Sequence, residues 1–512
     1  MDVITAVDAG TSSIRAVLFD LSGTILAIHS YSYSPRFLSD GRVRQSPDTW
    51  QQGLISVCSE AAVTCRENGY TPFCVSITGQ RASVLPIGAD DRPLGEAIMW
   101  QDKATSEECD EIGRRLSARE VFETTGLRVD SYFSAPKILW LRNHTPGVFE
   151  AASKFVGVQD YITYLVTGEF CTDFSQASRT LLFDLHALEW SEHILGELSI
   201  PVAALPHALP AGSCAGVTAN VFEARTGFRS GVPVILAGGD QQVAAVGMGV
   251  FEPGIAEANT GTGSFLITPV DTPALDPEMR ALCSVSAVAG RWVVEAGVLT
   301  TGVVYDWFAR EFAGGDRGAD GTLGGGEPDM DELNGLASKA PAGSNGIVVL
   351  PHFSGSAAPF WNPDACGIFA NMTLSTTRAD LARAVLESVA LELAMNLELL
   401  SALVGEIRHV RVAGGLTRLS LFNRIQADAF RVPVSVSAHR EATAFGALIS
   451  ACVHLGLHSD HREAYEAMAL HADERLVPDE QASAVYAGHQ KVRRALHDTL
   501  RQAGVYRAMR AL

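Results

Sequence analysis

The chain has 512 residues, more than one ordinary core holds, and at about 150 residues per domain it divides here into two large lobes. With 47% apolar and 19% charged residues it is globular in composition, and 58 acids against 39 bases give a formal charge of −19 that repels polyphosphate backbones and anionic lipid surfaces. Nucleic-acid and membrane partners are therefore not expected. There is no run of about 18 uncharged apolar residues, no basic leader, and no CxxC pair among nine cysteines, so the expectation is a cytoplasmic protein with reduced thiols.

Residues 3–20, VITAVDAGTSSIRAVLFD, read as strand, turn and strand. Val3, Ile4 and Val7 populate the first strand and Ile14, Ala16, Leu18 and Phe19 the second, with Gly10, Thr11, Ser12 and Ser13 in the turn. Such a turn offers hydroxyls and backbone N–H groups to phosphate oxygens, and Asp8 at the strand end can reach a cation through its water shell. Taken alone, the stretch also fits an ordinary hairpin. A third strand is expected at 24–28, and Trp50, Leu54, Val57 and Ala61 fall at helical spacing within 49–66, before a strand at 73–77. Three strands, a helix and a strand is the ribonuclease-H-like order. That last strand runs into Gln80-Arg81, and a short strand at 97–100 ends on Trp100. Arg81 supplies a planar fork of donors and Trp100 a flat apolar wall, a pair suited to a polyol's hydroxyls and its C–H face.

Residues 232–249, VPVILAGGDQQVAAVGMG, predict a buried strand, a tight turn at Gly238-Gly239 and a small-residue helix from Asp240, for which an N-cap is the ordinary alternative role. Turn residues at 250–254 set a boundary that divides the chain into 1–249 and 250–512, after which the pattern repeats. A strand at 255–258 enters the loop NTGTGSF at 259–265, and further strands follow at 265–268 and 292–295. The glycine-rich stretch 314–326 reads as a mobile surface loop and 351–372 as irregular. Thr377 and Asp380 approximate a capping box ahead of a long amphipathic helix, a strand at 409–412 enters Ala413-Gly414-Gly415, and 442–455 is a second small-residue helix. The tail, 480–512, is expected to be helical, polar and peripheral, and His454, His458 and His461 to be solvent-exposed rather than metal ligands. Three glycine-bearing turns over two halves fit a nucleotide held between two lobes. Neither GxxxxGK[ST] nor GxGxxG occurs at these turns, which counts against P-loop and dinucleotide-binding readings.

DAGTSSIRA, GGDQQ, NTGTG and the late AGG turn, in this order and over nearly the whole chain, resemble the FGGY family of carbohydrate kinases. Residues 126–142 and 159–180 resemble it too, the first being nearest its glycerol kinase branch. The resemblance implies an α/β fold of two ribonuclease-H-like, actin-like ATPase lobes with a central cleft, 1–249 carrying sugar and phosphate contacts and 250–512 the nucleotide. It implies Asp240 as catalytic base and, with Gln241, Arg81, Trp100 and Tyr132, as a substrate contact. ATP would lie against Gly10, Thr11, Ser12, Ser13 and Arg15, then Gly261, Thr262 and Gly263, with adenine and ribose close to Gly414 and Gly415. Mg²⁺ would be ordered by Asp8 through water. The acid that follows the arginine in the glycerol branch is Ala82 here, which places a ketopentose such as xylulose ahead of glycerol or another polyol, although the YFS stretch at 132–134 favours glycerol. A catalytically silent sugar-binding regulator is the reading from another class, and intact Asp8, Asp240 and phosphate loops count against it. The expected partner is a small sugar or polyol, with a homodimer left open.

Overall fold

The computed structural model describes residues 1–261, 263–313, 330–439, 441–469 and 474–511, so Thr262 and the glycine-rich stretch 314–326 lie outside the described residues. Asp2–Ala9 and Ser13–Asp20 pair antiparallel, both buried along most of their length, and Ile25–Ser32 joins the second. On the other side of the first strand, Thr71–Gly79 and then Pro233–Gly239 add in parallel. The second half repeats the plan. Ile255–Thr260, Ser264–Val270 and Trp292–Val298 run antiparallel, and His409–Gly414 and Val434–Val436 extend the sheet in parallel beyond the first of them. Each sheet gains one more antiparallel strand at its far edge, Cys214–Val217 in the first and Glu474–Leu476 in the second. Register levels the parallel strands: Ala9 and Gly239 both lie opposite Gly79, and Thr260 lies opposite Gly414. The loops that follow therefore leave at one edge of each sheet, where open α/β sheets present ligands.

One face of the first sheet packs on helix Pro47–Asn68 through buried Trp50, Leu54 and Val57. Its other face, carrying Ile4, Ala6, Val17 and Phe19, is covered by Val243 and Val246 of helix Asp240–Gly247 and by Phe445, Leu448 and Ile449 of helix Ala442–His454. The sheets fall on either side of residue 250, but the first sheet's core takes a helix from the far end of the chain. Small residues make this crossing feasible. A Cβ at Gly247 would lie 1.9 Å from the Ala442 carbonyl oxygen, and one at Gly446 would lie 1.9 Å from that of Val243.

The second sheet rests on helix Arg378–Val404, whose Thr377–Asp380 capping box forms and whose Val385, Leu386, Val389 and Leu393 join Ala256 and Ala258 in the core. Helix Glu480–Gln502 is polar as expected but not peripheral: Tyr486, Gln490, Arg493 and His497 are its buried face. Arg493 Nη2 donates to Glu392 Oε2 at 2.6 Å and Tyr486 Oη to Glu387 Oε1 at 2.9 Å, so polar side chains enter because buried acids on the long helix receive them. Within 351–372 one strand forms, Gly367–Ala370, antiparallel to Val348–Pro351. Of the three late histidines only His454 is exposed; His458 and His461 are partly buried, and burial pushes His461 down to about 4. Among the described residues no cluster of three or more His, Cys, Asp or Glu side chains could hold a metal, and no helix is long and apolar enough to cross a membrane.

The helix crossing sets a direct expectation. Gly446→Ala forces two backbones apart and should lower unfolding free energy by about 1–3 kcal/mol in urea titration. A change below about 0.5 kcal/mol would mean that the helices do not meet at this point.

Candidate functional site

Asp8 ends the first strand opposite Arg15 on the second. Its Oδ1 is buried without a hydrogen-bond partner, and burial, helped by the charge of Asp240 and opposed by Arg15, pushes its pKa up to about 7. Arg15 in turn reaches the second half of the chain, where its Nη1 meets Glu441 Oε2 at 2.7 Å. The loop between the strands is braced: Gly10 N–H donates to the Ser13 carbonyl at 2.9 Å, and the Gly10 carbonyl accepts from Tyr33 Oη at 2.7 Å and Gln80 Nε2 at 3.1 Å. The Gly10 amide is thus committed to the turn. Those of Thr11 and Ser12 take no acceptor among the described residues.

Arg81 leaves the end of Thr71–Gly79 and is buried, not at the surface. Its Nη1 donates to Glu295 Oε1 at 2.9 Å, its Nη2 to Gln241 Oε1, and its Nε stands 3.9 Å from Asp240 Oδ1. Glu295, from strand Trp292–Val298, also receives Arg179 Nη1 at 3.3 Å and Gln242 Nε2 at 3.2 Å. Burial would raise the Glu295 pKa, but Arg179 and Arg81 hold it at about 2. Pro233–Gly239 runs as strand through both glycines, so the expected tight turn does not form. Gly239 is the N-cap, and Asp240, the first helical residue, accepts at Oδ1 from the Gln241 amide at 2.8 Å. Burial raises the Asp240 pKa, with Arg81 opposing.

The aromatic wall is built from the same side. Trp100 and Tyr132 rings sit 5.4 Å apart, Trp100 Nε1 donates to Thr11 Oγ1 at 3.0 Å, and the Arg179 guanidinium lies 5.6 Å over Tyr132 and 5.1 Å over Phe133. Thr11, Trp100, Tyr132, Arg81, Asp240 and Gln241 therefore belong to one connected cluster. Sequence reasoning missed Arg179 and Glu295. Glu295 did leave a signal, an acid inside the otherwise apolar strand WVVEAGV. Ala82 sits at φ +66° beside a cavity of about 30 Å³, which Ser83, Ser134, Asp160, Gln176 and Thr180 also line.

The second-half residues form another group, at the ends of Ile255–Thr260 and His409–Gly414. The Gly261 carbonyl accepts from Gly302 N–H at 2.9 Å and Thr301 Oγ1 at 3.0 Å, and Gly261 N–H closes onto the Gly263 carbonyl at 2.9 Å. The diglycine turn does two separate things. A Cβ at Gly414 would lie 2.1 Å from the Thr260 carbonyl oxygen, so that glycine serves the strand crossing, whereas one at Gly415 would meet nothing within 4 Å. Only Gly415 faces open space, where a side chain would also fit.

The FGGY family of carbohydrate kinases matches both halves, its N-terminal domain over residues 3–247 and its C-terminal domain over 256–455. A glycerol kinase from Bordetella parapertussis is 34% identical over 461 residues, covering 87% of each chain, and one from Thermococcus kodakarensis is 31% identical, covering 90% of each. Among solved structures, xylulose kinase from Rhodospirillum rubrum superposes with a TM-score of 0.90 at 27% identity, over 98% of this chain and 99% of that one. Plasmodium falciparum glycerol kinase with ADP superposes with a TM-score of 0.86 at 23% identity, over 98% of each chain. The architecture is that of these kinases, two α/β lobes of the actin-like ATPase kind.

Glu257, buried on the same sheet as Glu295, allows a test of the local electrostatics. Burial, opposed by Asn259 and aided by Glu295, pushes its pKa up from 4.5 to about 8. The folded chain then holds a proton that the unfolded chain releases, so stability falls as pH rises from about 4.5 to 8 and levels off above. Glu257→Gln removes that loss. Its melting temperature should exceed the parent's by more at pH 8 than at pH 5, the added stability margin being about 3 kcal/mol. A margin that does not widen with pH would mean that Glu257 is ionised in the fold.

Proposed function

Since the chain belongs to the FGGY family of carbohydrate kinases and is a sugar or polyol kinase, we propose that it transfers the γ-phosphoryl of ATP to a hydroxyl of an acceptor longer than glycerol, a ketopentose such as xylulose. Ala82 carries the substrate reading. A methyl stands where the glycerol branch has a carboxylate, so that acceptor is missing next to Arg81. Glycerol loses the partner of one of its few hydroxyls there, whereas a longer acceptor keeps others to bind by.

In this reading Asp240 takes the proton of the attacking hydroxyl. Its pKa, raised by burial, makes it a better base than a free carboxylate, and Arg81 beside it orients both the acceptor and Asp240. Glu295, itself bound by Arg179, holds Arg81 so that it does not swing, while Trp100 and Tyr132 supply the apolar wall. Phosphoryl transfer passes through a loose transition state, so positioning and charge neutralisation carry most of the acceleration. The Thr11 and Ser12 amides suit phosphate oxygens, whereas the Gly261 amide is spent on the Gly263 carbonyl, and the open space at Gly415 suits the nucleoside. Mg²⁺, when bound, would neutralise phosphate charge. The unpartnered Asp8 Oδ1 fits a cation's water shell, and a single carboxylate with phosphates and waters is the usual arrangement for this ion.

A second reading, glycerol itself, is favoured by the glycerol kinases that resemble the chain at 30–34% identity and by Tyr132-Phe133-Ser134. ADP release from glycerol, tetritols and pentuloses separates the two. The expected order puts a pentulose first, and Ala82→Glu should then raise glycerol turnover relative to that sugar by roughly tenfold, the worth of one charged hydrogen bond. Glycerol as the best parent substrate would establish the second reading instead. In either case Asp240→Asn should keep ATP binding and lose at least ~10²-fold in kcat. Near-normal turnover in that variant would remove Asp240 from the chemistry.

A further inference from the structure

Lys137 is completely buried, on the first turn of helix Ser134–His144, yet no carboxylate among the described residues lies within ion-pair distance of it. Its three N–H bonds go to three successive backbone carbonyls just upstream: Ser131 at 2.8 Å, Tyr132 at 2.6 Å and Phe133 at 2.8 Å. All its donors are used. The side chain folds back over the start of its own helix, where a positive charge faces the wrong end of the helix dipole and burial has removed its water. An apolar residue of similar length would avoid both costs. What the ammonium does, and a methyl group could not, is draw three carbonyls to one point.

That convergence fixes the local shape. With the carbonyls of 131–133 turned inward, the backbone wraps the ammonium, while Asp130 Oδ1 accepts the Tyr132 amide at 2.8 Å from the other side. Ala135 N–H donates to the Thr180 carbonyl at 2.9 Å, which ties the same turn to the residue after Arg179. The Tyr132 ring is thereby held against Trp100 and under Arg179, and Arg179 binds the Glu295 carboxylate that anchors Arg81.

We infer that Lys137 is a positioning residue of the acceptor pocket, its ammonium gathering the 131–133 carbonyls so that Tyr132 and Arg179 stand where the acceptor meets them. The role rests on the kinase reading above and adds to it a residue that touches neither substrate.

The test uses the full chain and the best acceptor from the wild-type panel. Lys137→Met keeps length and removes every donor. It should raise the acceptor KM at least about tenfold while the ATP KM stays within about twofold. In a Tyr132→Ala background the same substitution should add no further rise, because its effect runs through that ring. Lys137→Gln, which keeps two donors, should fall between parent and Met variant and serves if the Met variant does not fold. An unchanged acceptor KM with only a lower melting temperature overturns the inference, as do KM effects that multiply independently in the double variant. Failure of both variants to fold also overturns it, since Lys137 would then be a folding residue. A wild-type chain that turns over no member of the panel instead overturns the functional reading on which the inference stands.

Discussion

The Glu295 carboxylate is the fixed point of the molecule's chemistry. It comes from the second sheet, is buried, and receives guanidinium groups from Arg81 and Arg179 of the first half together with the Gln242 amide. A buried ion cluster of this kind adds little net stability, but removing one member strands the others at a cost of about 3–5 kcal/mol. It therefore acts as a register pin between the halves. Arg81 cannot leave Glu295 without stranding its own buried guanidinium, and while it stays its remaining edge faces Asp240 and Gln241. The geometry around the proposed base is in this way set by a partner some 214 residues along the chain from Arg81.

A second contact between the halves complements the first. Helices Asp240–Gly247 and Ala442–His454 cross with only hydrogen atoms where Cβ atoms would be, so Asp240 stands at the start of a helix whose other end is clamped by the far part of the chain. Arg15 with Glu441 adds an ion pair just before that second helix, close to Asp8. The carboxylates at the two strand ends are thus each braced by residues beyond 290, one through Glu295 and one through Glu441.

Much of this was legible in the chain itself. Strand, turn and strand at the N-terminus, the capping box at Thr377 and the helix after Gly239 follow from local periodicity and turn chemistry, which need no distant partner. Asp8 and Arg81 stand out locally because strand ends are local properties too, whereas the role given to Asp240 comes from the family resemblance, its position alone fitting an N-cap. Arg179, Glu295 and Lys137 do not stand out, because a charged residue becomes informative only when its burial is known, and burial arises from packing between segments far apart in sequence. The same reason hid the polar buried face of the last long helix, whose Arg493 and Tyr486 enter the interior only because Glu392 and Glu387 are there to receive them. Gly414 shows the converse: a glycine that reads as room for a ligand is spent on the neighbouring strand, and its partner Gly415 holds the room.

The helix that completes the first sheet has a consequence for how the chain comes off the ribosome. Strands up to Gly239 can pair early, and helix Pro47–Asn68 can cover one face of them, but Ile4, Ala6, Val17 and Phe19 on the other face wait for Phe445, Leu448 and Ile449. At ordinary elongation rates of about 5–20 residues per second, the interval between residue 239 and residue 454 lasts on the order of tens of seconds. Throughout it the nascent first half shows an apolar sheet face that only Val243 and Val246 of helix Asp240–Gly247 can cover. A fragment cut at the midpoint keeps the same uncovered surface.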